Sequence, residues 1–100
     1  HHPPILLSHG KGFMDSNYPL KNHQLVNQSI LDSKIEYVFC GHYHNVFCVS
    51  LESYTLHLTP SIASKIKLNS ESFELEEVEL LLRIIQVSGS QVRTYLKNII

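Results

Sequence analysis

No run of apolar residues in these 100 positions approaches the ~20 needed to span a bilayer, and the N-terminus lacks the charged, apolar, small-residue order of a secretory signal. Charge of one sign is missing as well. There are 8 basic residues against 9 acidic ones, a net charge of -1 with no basic stripe, which argues against a nucleic-acid polymer as partner. Cysteine is scarce: Cys40 and Cys48 each sit in an apolar, strand-like run, where a free thiol behaves as a small buried hydrophobe, and two cysteines make no disulfide framework. A reducing, cytoplasmic setting is expected, with a Cys40–Cys48 cross-strand disulfide as the less favoured alternative. There is no internal repeat and no low-complexity tract.

What remains is an ordinary globular composition, 43% apolar, over a length that makes one small domain or a piece of a larger one with a modest core. Histidine is the outlier. Four of the seven histidines fall into two short motifs, His1-His2-Pro3-Pro4 and Gly41-His42-Tyr43-His44.

Between and after these motifs the pattern is that of a mixed α/β chain. Pro3 to Pro19 reads as a long loop broken by Gly10, Gly12, Asp15, Ser16 and Asn17, and loops of that length tend to be lids or binding loops. Leu20 to Leu31 reads as a helix with Pro19 in its first turn and with Leu20, Val26, Ile30 and Leu31 on one face; Asp32-Ser33-Lys34 ends it. Ile35 to Cys40 suits a buried strand following that helix. Asn45 to Leu51 and Tyr54 to Leu58 predict a hairpin around Glu52-Ser53, and Val78 to Val87 with Gln91 to Leu96 a second around Ser88-Gly89-Ser90. Lys65 to Ser72 reads as surface loop, and Glu76, Glu77 and Glu79 as a solvated edge.

Gly41-His42-Tyr43-His44 lies at the C-terminal end of an apolar strand, where α/β folds place ligand sites. Glycine there permits a sharp turn or a close approach, and two imidazoles two residues apart can face one cavity as metal ligands. Alone, the motif is as readily a strand end with two surface histidines.

In combination the motifs say more. His1-His2-Pro3-Pro4, then a helix carrying Leu20-Lys21-Asn22, then Phe39-Cys40-Gly41-His42-Tyr43-His44, then Leu58-Thr59-Pro60-Ser61 resembles the calcineurin-like metallophosphoesterases. Within them it is most similar to the class III cyclic nucleotide phosphodiesterases and their glycerophosphodiesterase relatives. Phe13-Met14-Asp15 and the closing hairpin fit that branch.

The resemblance implies an α/β (α+β) chain that forms the C-terminal portion of a four-layer α/β/β/α sandwich, with residues 1–100 lacking the N-terminal half. It implies two divalent ions, iron, manganese or zinc, and hydrolysis of a phosphodiester, 3',5'-cAMP foremost, by a hydroxide activated between them. Carried over by position, His1 and His42 match ligands of one metal and His44 a ligand of its neighbour, these three being the catalytic set; His2 sits beside the site without ligating. His9, Asp15 and Asn22 are candidate substrate-pocket residues, and His23 and His57 surface or core histidines. The family's aspartate-rich N-terminal motifs are missing here, so this chain alone is expected to be inactive. It is also expected to expose an apolar face around Ile35, Tyr37, Val38 and Phe39 and to associate with its missing half or with itself. Asn45 stands where many relatives carry glutamine, and Ser61-Ile62 where serine-threonine is usual, so fold is specified more firmly than substrate. Two other readings compete: a non-catalytic scaffold of the same fold, and an unrelated α/β module whose leading histidines are tag residue.

Overall fold

A computed structural model describes residues 1–100. Its centre is a three-stranded mixed sheet of β1 (Tyr37–Cys40), β2 (Phe47–Ser50) and β3 (Thr55–Leu58), in the order β1-β3-β2. β3 pairs parallel to β1, with Phe39 opposite His57, and antiparallel to β2, with Val49 opposite Leu56. The first expected hairpin therefore forms, and β1 joins its far edge. Because side chains alternate along a strand, Val38, Cys40, Phe47, Val49, Leu56 and Leu58 all face one side. Leu56 and Leu58, on the central strand, are fully enclosed; such burial contributes roughly 1.5–3 kcal/mol per side chain.

That face is covered by α2 (His23–Asp32), through Ile30 and Leu31 and a hydrogen bond from the Tyr54 hydroxyl to Asn27. The helix begins later than the sequence pattern suggests. Leu20 carbonyl accepts from the His23 amide in a turn, which leaves Pro19 outside the helix and puts Asn22 at its N-cap. It ends as expected: Lys34 takes a left-handed conformation just beyond the Ser33 C-cap.

Two segments read as loop contain regular structure. α1 (Phe13–Asn17) is a single helical turn inside the Pro3–Pro19 stretch, too short to show a period and fixed by tertiary bonds, including Phe13 amide to Ser70 carbonyl. β4 (Lys65–Ile66) and β5 (Leu75–Glu76) form a two-residue ladder, on whose edge Lys65 meets Glu79 at 2.5 Å and Glu76 at 3.8 Å. Two of the three glutamates read as a solvated edge, Glu76 and Glu79, thus carry surface ion pairs, each worth little.

β6 (Leu81–Ser88) and β7 (Gln91–Asn98) form the second expected hairpin, closed by a two-residue turn in which Gly89 has positive φ. Tyr37 and Ile35 are exposed as expected. Val38 is not: it points to the core, opposite to Tyr37 and Phe39, since neighbours on a strand face opposite ways. Cys40 is buried and Cys48 exposed, on strands separated by β3, so no disulfide joins them. No helix is long and apolar enough to cross a membrane. These elements make a mixed α/β arrangement of sheets and two helices, consistent with the expected α+β class.

Candidate metal centre

β1 ends at Cys40 and the chain turns at once. Gly41 amide donates to His1 carbonyl at 2.9 Å, and Tyr43 amide to Gly41 carbonyl at 2.8 Å. The first bond draws the N-terminal histidines against the end of the sheet. An added Cβ on Gly41 would meet only His1 Nδ1, at 3.9 Å, an ordinary contact, and Gly41 does not have positive φ, so neither crowding nor backbone conformation here requires glycine. His42 and His44 then both adopt positive φ, 70° and 51°, a conformation that costs a non-glycine residue about 1–2 kcal/mol. The result is a tight loop with His42 and His44 facing an open pocket of about 480 Å³ and Tyr43 between them turned inward, 2% exposed.

His1, His42 and His44 line this pocket, with Phe39, Thr59 and Ser61. The imidazoles of His1, His2 and His42 each offer a nitrogen within 4.8 Å of the others. Nitrogens on one tetrahedral ion at Zn–N distances of ~2.0–2.1 Å lie about 3.3 Å apart, so small rotations bring this set into range. His2, read from sequence as a bystander, is thus part of the cluster, its ring 3.9 Å from that of His42. His44 stands on the same pocket wall, outside that trio.

A hydrogen bond engages one ring nitrogen of each histidine of the Gly41–His44 loop. His42 Nε2 donates to Tyr18 carbonyl at 3.0 Å, which leaves Nδ1 as the free lone pair. His44 Nδ1 is 2.8 Å from Ser64 Oγ, and in the tautomer where Nδ1 donates to that hydroxyl, Nε2 keeps its lone pair. An oxygen partner on the second ring nitrogen is the usual way a ligating histidine is oriented. Burial lowers the His42 pKa, and the charges of His2 and His44 add to this against the bond to Tyr18, so the imidazole is held in the neutral, ligating form. No carboxylate lines the pocket. The donor set fits one ion; a second ion would need carboxylates from elsewhere.

The remaining candidates lie apart. His9 is exposed at a left-handed loop position, and Asn22 is the exposed N-cap of α2. Asp15 is on no pocket wall. It is 4% exposed, and its carboxylate accepts from Leu7, Ser8 and Gly10 amides, from Ser8 Oγ and from Tyr43 Oη. Burial acts to raise its pKa, but the bonds from Tyr43, Ser8, Leu7 and Gly10 outweigh it and the pKa is lowered. His57 is half-buried, stacked on Phe39 at 5.2 Å, and His23 opens α2. Tyr18 and Ser64 carried no sequence signal. Tyr43 did: where alternate residues face a cavity, the one between them faces the core.

No protein-family model matches the chain. It is 36% identical over 101 residues to a protein of Fibrobacter succinogenes named "probable cyclic nucleotide phosphodiesterase", covering 98% of this chain and 39% of that protein. It is 20% identical over 98 residues to a protein of Pseudoalteromonas sp. with the same description, covering 98% of this chain and 36% of that protein. The chain therefore spans well under half the length of these curated relatives, and the likeness to cyclic nucleotide phosphodiesterases read from its histidine motifs holds over nearly all of its own length.

Proposed function

We propose that this chain supplies the imidazole-rich part of the metal site in a calcineurin-like, metal-dependent phosphodiesterase that hydrolyses a cyclic nucleotide, 3',5'-cAMP foremost. The observation that carries the reading is the meeting of the two motifs: the Gly41 amide bond to His1 carbonyl draws His1 to the pocket wall that His42 and His44 share, with His2 beside His1 and His42. The names of the relatives supply the reaction class and substrate. Divalent ions bound there, two of them iron, manganese or zinc, supply Lewis-acid activation of the phosphate and of water.

The chain's own residues do the positioning. His1 and His42 would hold one ion, with His2 as an additional neighbour, and His44 the other; the His42 and His44 rings are each held by an oxygen on one nitrogen. Thr59 Oγ1 accepts from Arg83 and so keeps its own proton to donate to a phosphate oxygen in the pocket. The carboxylates that a metal pair requires would come from the rest of the protein. Two free thiols suit a reducing compartment.

The test is turnover of bis(p-nitrophenyl) phosphate and of 3',5'-cAMP by the intact protein. Hydrolysis is expected to vanish in excess chelator and to return with manganese. Undiminished turnover by metal-free protein would eliminate this reading, and metal-loaded protein without any turnover would support a non-catalytic scaffold instead.

A further inference from the structure

Asp15 is a buried acid with no cation beside it, joined to the histidine loop through Tyr43. Its Oδ1 accepts from Leu7 amide at 3.1 Å and Tyr43 Oη at 2.6 Å, and its Oδ2 from Ser8 amide at 2.6 Å, Ser8 Oγ at 2.9 Å and Gly10 amide at 3.1 Å. An ionised carboxylate has about four lone-pair sites and no donor, so this environment is saturated and specific: the amide of asparagine would turn a donor toward donors. Four of these bonds are local, to residues within the same loop. Only the Tyr43 bond reaches across 28 positions to the histidine loop.

At the C-cap of the same turn, Tyr18 carbonyl accepts from the His42 ring. The one-turn helix and its C-cap therefore hold the Gly41–His44 loop at two points, the inward tyrosine and the outward imidazole. The loop needs such a hold, because His42 and His44 both occupy the left-handed region.

We propose that Asp15, acting through the Tyr43 hydroxyl, is the positioning residue that fixes where the His42 and His44 imidazoles stand for a divalent metal. The role rests on the metal-site reading above. It goes beyond it in giving the Phe13–Asn17 turn a purpose: a bracket for two ligands, not a wall of the substrate pocket.

The Tyr43→Phe variant removes only the hydroxyl and keeps the packed ring. Two measurements on this chain test the role: imidazole nitrogen–proton NMR spectra of the metal-free protein, and Co²⁺ affinity. The ring signals of His42 and His44 are expected to shift and broaden while those of His23 stay put, and Co²⁺ affinity is expected to fall roughly tenfold, the lower end of losses seen when partners of metal ligands are removed. A purely structural tyrosine would lower the melting temperature and move neither readout. Unchanged His42 and His44 signals in a folded variant refute the proposal. Should Tyr43→Phe fail to fold, Ser8→Ala removes one donor of Asp15, together with the acceptor of the Gly12 amide, without touching the histidine loop; a smaller shift of the same two signals is expected, and none refutes it. If the unsubstituted chain takes up no Co²⁺, the metal-site reading fails, and the metal-free spectra still decide whether Asp15 sets the loop.

Discussion

Arg83 Nε donates to Thr59 Oγ1 at 3.0 Å, fastening the β6–β7 hairpin to the wall of the histidine pocket. The same guanidinium donates to Leu58 carbonyl at 3.4 Å and to Thr94 Oγ1 at 3.0 Å, and lies 5.9 Å from the centre of the Phe39 ring. A planar fork is required to reach three acceptors and a ring at once, which lysine cannot copy. Arg83→Lys is expected to lower stability by about 1–2 kcal/mol, the scale of lost bonds to a charged group. Denaturant melts give the loss, and hydrogen exchange should show it as faster opening of β6 and β7 than of β3.

Asp15 makes stability depend on acid. Its folded pKa lies below the ordinary value of 3.8, so its contribution is fully present above that value and is lost as pH falls through the lower, folded one. Melting temperatures are expected to drop more steeply below pH 3.8 in the natural chain than in Asp15→Asn, which should be less stable at neutral pH and flatter in acid. Parallel acid slopes in the two proteins would contradict the hydrogen-bond pattern around the carboxylate.

Gly12 is a close-approach glycine. An added Cβ would sit 2.2 Å from Leu68 carbonyl oxygen and 2.4 Å from Ser8 Oγ. The first of these is backbone and cannot swing away. Gly12→Ala should therefore cost about 1–3 kcal/mol through forced displacement of the 8–15 loop, readable as a lowered denaturation midpoint. Gly89→Ala meets no atom within 4 Å, so its cost comes from positive φ alone and serves as the comparison.

The two cysteines should separate cleanly by reactivity. Cys48 is exposed, whereas burial pushes the Cys40 thiol up to about 11, against opposing charges of the N-terminus and Arg83. The thiolate is the reactive species, so a thiol reagent at pH 8 should modify Cys48 rapidly and Cys40 only on unfolding. Peptide mapping after a short exposure should find the label on Cys48.

His42→Ala and His44→Ala in the intact protein are expected to cut phosphodiester turnover by orders of magnitude while the fold persists, because neither ring belongs to the packed core. Circular dichroism alongside the assay checks both halves. Near-normal rates in folded variants would show that these imidazoles serve something other than the reaction.

The parts of this architecture legible in the sequence are those whose pattern is local. The apolar run to Cys40 ending in Gly41, and the long hairpin closed at Gly89, each announce themselves by alternation and a turn residue. α1 and the β4–β5 ladder do not, because five and two residues carry no period and only distant partners such as Ser70 hold them. The start of α2 shifted for a similar reason, a turn at Leu20 being indistinguishable by composition from a first helical turn. Of the site, the motif histidines were visible and their orientation was not. Asp15 looks like any acidic loop residue until Tyr43 is seen to reach it, and Tyr18 and Ser64 act through a carbonyl and a hydroxyl that any sequence is full of.

The left-handed backbone at His42 and His44 sets fold and chemistry at odds. A search for the most stable sequence on this backbone would write glycine at both positions, relieving about 1–2 kcal/mol at each, and would erase the imidazoles in doing so. Histidine persists there against the preference of its own backbone. Lys34 and His9 share that conformation singly, so what marks this loop without any ligand in view is two such histidines two positions apart, where a stability optimiser and the natural chain choose different letters.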